Sequence, residues 1–123
     1  MNYLIDTHVL LWYIVGDKRI DEDIQEKLES DTNSIFLSNA SLWEIAVKVS
    51  IGKLILKGTI SDLKKYLDDK GFILLEYDYE DLETLLKLPF HHQDPFDRLI
   101  IAQAKTKSLE VITNDSHIQK YFE

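Results

Sequence analysis

The 123-residue sequence contains no cysteine, which removes disulfides, thiolate nucleophiles and zinc–thiolate sites from consideration and fits a reducing cytoplasm. Long apolar runs are missing too. None approaches the ~20 residues that span a bilayer, and the opening Met1-Asn2-Tyr3-Leu4-Ile5-Asp6 has neither the basic start nor the apolar stretch of a signal peptide. A soluble cytoplasmic protein without a membrane partner is therefore expected. Stretches rich in proline, glycine or serine that would mark linkers are absent, as are internal repeats. Positive charge is scarce: 14 Lys and Arg stand against 22 Asp and Glu, a net charge of −8. That balance argues against holding nucleic acid over a broad basic face, because phosphate neutralisation is the main source of such affinity. Any nucleic-acid role has to be local.

What is present suffices for one core. Hydrophobic residues make up 45% of the chain and aromatics 11%, enough to bury a single domain over residues 1–123 and too little for two. Leu4 and Ile5 read as a short strand ending at Asp6, and Val9, Leu10, Trp12 and Tyr13 then recur at helical spacing. Asp21 to Ser30 reads as a surface helix and Ile35 to Ser38 as a buried strand. A helix follows from Ala40 to Ile51, with Gly52 placed to end it, and a shorter amphipathic one from Ile60 to Leu67. Phe72 to Leu75 looks like a third strand, Tyr79 to Leu88 a helix stopped by Pro89, and Pro95 opens another. Val111 to Thr113 is the last strand, before a short helix. Alternating short apolar strands and helices predict a three-layer α/β/α domain around a mainly parallel sheet, whose ligands bind beyond the carboxyl ends of the strands.

Four acids fall at that end. Asp6 and Asp115 each follow a strand and each suits a helix cap. Glu44 lies in a helix whose other positions are apolar nearly all round, which predicts a largely buried helix broken by one narrow stripe of Ser41, Glu44 and Lys48. A solvated Glu–Lys pair four residues apart would leave the same pattern. Asp94 suits the first turn of the helix opened by Pro95. Asp97 projects into the stripe of Ile100, Ile101 and Ala104, while Arg98, Gln103 and Lys105 project to the other sides. An inward carboxylate is costly unless it is paired or holds a metal. Converging carboxylates repel one another, and a divalent ion relieves the conflict; an oxygen-only donor set selects Mg²⁺ or Mn²⁺.

Four stretches together resemble a known family: Asp6-Thr7-His8-Val9-Leu10-Leu11-Trp12, Ser41-Leu42-Trp43-Glu44-Ile45-Ala46, Asp94-Pro95-Phe96-Asp97-Arg98-Leu99-Ile100-Ile101-Ala102-Gln103-Ala104, and Thr113-Asn114-Asp115. They resemble PIN-domain nucleases, specifically VapC-like toxins of toxin–antitoxin pairs, in that family's order and over nearly the whole chain. The resemblance implies an endoribonuclease that hydrolyses phosphodiester bonds with metal-activated water. It implies one or two Mg²⁺ or Mn²⁺ ions on Asp6, Glu44, Asp97 and Asp115, which are thereby both the catalytic and the metal-binding residues. Thr113, Thr7 and Ser38 match supporting polar positions. Asp94 is expected to hold a water or a backbone amide beside the metal, and Arg98 and Lys48 to contact phosphate from exposed helix positions. The resemblance also implies an RNA substrate, a small cognate antitoxin and a homodimer.

The four histidines are expected in packing or loop roles, since hard ions prefer oxygen. Trp12 and Trp43 are expected at a core or interface rather than under a base. A receiver domain would want paired acids after the first strand and a lysine after the last; a haloacid-dehalogenase-like phosphatase would want an Asp where His8 stands. The stronger rival is a non-catalytic binding module of the same fold whose acidic cleft receives a basic partner segment.

Overall fold

The computed structural model describes residues 1–123. Its elements run β1 (Asn2–Ile5), α1 (Thr7–Val15), α2 (Glu22–Glu29), β2 (Ser34–Ser38), α3 (Asn39–Ser50), α4 (Ile60–Asp69), β3 (Ile73–Leu75), α5 (Tyr79–Lys87), α6 (Pro95–Thr106), β4 (Glu110–Ile112), α7 (Ser116–Gln119) and a closing 3-10 turn, Lys120–Phe122. Every strand pairing is parallel, in the order β3-β2-β1-β4. The expected α/β/α sheet is thus observed. No helix is long and apolar enough to cross a membrane.

Strand periodicity divides the core. Tyr3 and Ile5 of β1, with Ile35 and Leu37 of β2, pack on one face with Val9, Leu10, Ile24, Leu63 and Leu67 of α1, α2 and α4. Leu4 and Phe36 point the other way, onto Leu99, Ile100 and Ala104 of α6. Leu4, Ile5, Leu10, Ile100 and Ile101 are at most 1% exposed, and each contributes on the order of 1.5–3 kcal/mol by leaving water. Asp6, Asp21, Thr59, Asp78, Asp94 and Asp115 N-cap the helices that follow them. Gly16 ends α1 in the left-handed region, at φ 68°, and its N–H reaches the carbonyls of Trp12 and Tyr13.

Two helices differ from their sequence-based expectation. Instead of being largely buried, α3 is half-exposed: Ala40, Ser41, Glu44 and Ile45 are buried, whereas Trp43 is 62% exposed and Val49 also faces solvent. The reason is its place, at the carboxyl edge of the sheet against α6, where its polar stripe meets the cleft. In α6, Arg98 and Gln103 do not lie on open sides; both are buried. The sheet covers one side of that helix and α5 another, so a single-stripe projection understates its burial.

Candidate active site

Strand order reverses about β1, with β2 on one side and β4 on the other, and such a switch point opens a crevice at the carboxyl edge. Asp6 is the first residue beyond β1 there; its amide donates to the Ile112 carbonyl of β4 at 3.0 Å. One carboxylate oxygen accepts the His8 N–H at 3.2 Å and the other accepts the Thr113 hydroxyl at 2.9 Å. Thr113 in turn accepts the Asp115 N–H at 3.0 Å, so one threonine ties the acid after the first strand to the turn after the last.

Glu44 reaches the crevice from α3. Its Oε2 accepts from Lys48 Nζ at 2.7 Å, while Oε1 is buried without a partner. Burial lowers the pKa of the Lys48 ammonium, but the Glu44 hydrogen bond and the charges of Glu44, Asp94 and Asp97 outweigh it and raise the pKa overall. Asp97 enters from the first turn of α6, 4% exposed, with Oδ1 likewise unpartnered. Burial, and then the charges of Asp94, Asp6 and Glu44, push its carboxyl up to about 7. Asp94 caps α6, accepting the N–H groups of Phe96 at 2.9 Å and Asp97 at 3.0 Å.

A fourth buried acid gives the contrast. Asp81 of α5 is fully buried, yet Thr106 and Lys107 engage its Oδ1 and the Asp78 N–H its Oδ2. Asp81, like Asp6, thus has both oxygens engaged. Glu44 and Asp97 each keep one free, and an unpartnered buried carboxylate oxygen carries a large desolvation cost.

The structure thus gathers Asp6, Glu44 and Asp94 closely enough to raise the Asp97 carboxyl. Asp115 stands at the rim, its side chain 37% exposed, capping α7 and 3.3 Å from His117 Nδ1. Thr7 and Ser41 form a buried pair 2.7 Å apart beneath the cleft. Ser38 faces away from the acids: it caps α3 and donates to Gln103, whose amide donates to the Leu75 carbonyl. Arg98 is no exposed phosphate contact. Its guanidinium is buried over the Phe90 ring and donates to the carbonyls of Pro89, Leu85 and Leu88 and to the Tyr121 hydroxyl.

Sequence reasoning missed how closely histidines attend the acids. His8 Nδ1 lies 3.8 Å from Asp6 Oδ1, and His92 Nε2 3.4 Å from Asp97 Oδ2. The Asp6 hydrogen bond, against burial, raises the pKa of His8. His8 and His117 each lie two residues past a capping Asp that accepts their backbone N–H, a spacing that signals the contact; nothing local signals His92. Trp43 is exposed at the lip, edge-on to Phe96 with centroids 5.0 Å apart.

No three acidic or histidine side chains are drawn together into a ready ligand set, but the donor chemistry fits a hard divalent ion. The acids are all oxygen donors, two buried oxygens face the cleft unpartnered, and the mutual repulsion is of the kind a dication relieves.

Fold and cleft together define a three-layer α/β/α protein with an acidic crevice at the carboxyl edge of a parallel sheet. The sequence profile of the PIN domain matches residues 3–122, and the chain belongs to that family. Among solved structures it is similar to VapBC2 from Rickettsia felis bound to a DNA fragment from its promoter, with a TM-score of 0.73 and 19% identity over 98% of this chain and 93% of that one. It is also similar to a toxin–antitoxin complex from Klebsiella pneumoniae, with a TM-score of 0.60 and 19% identity over 93% and 87% of the two chains. Comparison with curated proteins gives no match.

Proposed function

We propose that the chain is a Mg²⁺- or Mn²⁺-dependent endoribonuclease, the toxin of a toxin–antitoxin pair, with Asp6, Glu44, Asp97 and Asp115 holding one or two ions. The observation that carries this reading is the pair of unpartnered buried oxygens on Glu44 and Asp97, set against the fully engaged Asp81. Membership of the PIN family and the likeness to toxin–antitoxin complexes support it.

A divalent ion at such a site supplies Lewis acidity toward water and the scissile phosphate. The chain's own groups do the rest. Thr113 holds Asp6 and the Asp115 turn in register. Asp94 fixes the backbone that presents Asp97. Lys48, tethered to Glu44 and one-third exposed, is the cation nearest an incoming phosphate. An acidic exterior around one local cation suits brief RNA contact and a basic antitoxin segment over the cleft, while assembly as a homodimer rests on the family resemblance alone.

The test is cleavage of a mixed RNA pool by partner-free protein with Mg²⁺, with Mn²⁺ and with chelator, alongside folded Glu44→Gln and Asp97→Asn variants. Metal-dependent cutting that both variants lose supports the nuclease. Equal residual cutting in all three proteins points to contamination and to a binding module whose cleft takes a basic segment, as it already takes Lys48.

Lys48 gives a separate expectation. Its ammonium opposes an incoming dication, so Lys48→Met should tighten Mn²⁺ binding about three- to tenfold after solvent screening while raising KM for RNA. Free-ion electron paramagnetic resonance measures the first; a weaker Mn²⁺ affinity would show that Lys48 supports the site rather than competing for it.

A further inference from the structure

We propose that Tyr121 and His92 form a relay that sets the orientation of the Asp97 carboxylate, making His92 a positioning residue of the site. The inference rests on the reading of Asp97 as a ligand and concerns how this chain prepares that ligand.

A tyrosine hydroxyl has one hydrogen to give and two lone pairs to receive. Around Tyr121 Oη stand three N–H donors: Arg98 Nη1 at 3.1 Å, the His91 amide at 3.2 Å and the His92 amide at 3.3 Å. Its accepting capacity is filled, so its own hydrogen must go to an acceptor. The two within reach are His92 Nδ1 at 3.1 Å and the His92 carbonyl at 3.3 Å. If Nδ1 carried a proton it would be a fourth donor against a filled oxygen, and the bare Nε2 would turn its lone pair toward Asp97 Oδ2, 3.4 Å away. With Nδ1 receiving the hydroxyl hydrogen, Nε2 bears the proton and offers it to that carboxylate. Nε2 is buried and makes no hydrogen bond in this structure; Asp97 Oδ2, 3.4 Å away, is the acceptor beside it.

The result is a divided carboxylate. Oδ2 of Asp97 lies 3.4 Å from His92 Nε2, and Oδ1 is buried with no partner. Glu44 is divided in the same way, with Oε2 on Lys48 and Oε1 free. The anchoring end of the relay is rigid: Tyr121 is 4% exposed, and Arg98 ties it to the carbonyls that close α5. Outer partners that fix a ligand in this manner change metal affinity about 10–100-fold when removed.

The test begins with metal-free, full-length protein carrying ¹⁵N-histidine. A long-range ¹H–¹⁵N correlation at about pH 8 should show His92 as the Nε2–H tautomer, the resonance being assigned by its disappearance in His92→Gln. Mn²⁺ binding is then measured for folded variants by the loss of the free-ion paramagnetic signal. His92→Gln places an amide N–H near the Nε2 position and should keep affinity within about threefold, whereas His92→Phe and Tyr121→Phe should weaken it about tenfold or more. An Nδ1–H tautomer in the wild-type protein overturns the relay, as does wild-type affinity in His92→Phe. Should the wild-type protein neither bind Mn²⁺ nor cut RNA, the metal-site reading fails by itself, and the tautomer still decides whether the relay exists.

Discussion

Asp97→Asn is expected to cut RNA cleavage on the order of 10²–10³-fold while making the metal-free protein more stable. The two effects share one cause. The Asp97 carboxyl is pushed up to about 7, by burial first and by Asp94, Asp6 and Glu44 after it, whereas in the unfolded chain it titrates near the usual carboxylate value of about 4. Between those values the folded state binds a proton that the unfolded state has released, so stability falls as pH rises. The loss is about 1.4 kcal/mol per pH unit, with a ceiling of about 4 kcal/mol above pH 7, and there is none below pH 4. Asparagine mimics the neutral acid and escapes the loss. Melting in chelator at pH 4, 6 and 8 should therefore show the variant gaining on the wild type as pH rises, and a constant gap would refute the assignment. Mn²⁺, which needs the ionised carboxylate, should bind more tightly toward pH 7 and release a proton as it does so.

Arg98→Met is expected to cost about 3–5 kcal/mol of stability, seen as a urea midpoint shift and a melting temperature lower by about 10–20 °C. The guanidinium satisfies the carbonyls of Leu85, Leu88 and Pro89 where α5 ends, joins them to Tyr121 and lies 3.9 Å over Phe90. Methionine fills much of the volume but leaves those acceptors buried without donors, and each orphan costs about 1–3 kcal/mol. A phosphate contact would behave in the opposite way, with stability intact and KM raised. That outcome would restore Arg98 to the substrate.

These contrasts mark how far the sequence could be read. Strand and helix order followed from periodicity, with boundaries within a residue or two, because β1, β2 and α6 carry unambiguous apolar patterns. Asp6, Glu44, Asp97 and Asp115 were legible as acids at one end of the sheet, since each lies just past a strand or at a fixed place on a helix. Less legible was anything depending on what covers a helix from its second side. A projection assumes one buried face; α6 has several, so Arg98 and Gln103, projected away from the apolar stripe, are nonetheless buried. In α3 the assumption fails in reverse, since apolar Trp43 and Val49 look outward while Ser41 and Glu44 look in. The His92 contacts were invisible for another reason: Tyr121 meets His92 across 29 positions, and no local pattern encodes that meeting.

The Thr113–Asp6 hydrogen bond joins residues 107 positions apart, and it has a consequence in time. A ribosome delivers Asp6 and Glu44 well before it delivers Thr113, Asp115 and Tyr121. Contacts so distant in sequence form late, after the entropy of closing the whole loop has been met. A nascent chain, or one clipped before β4, carries the acids without the strand that arranges them.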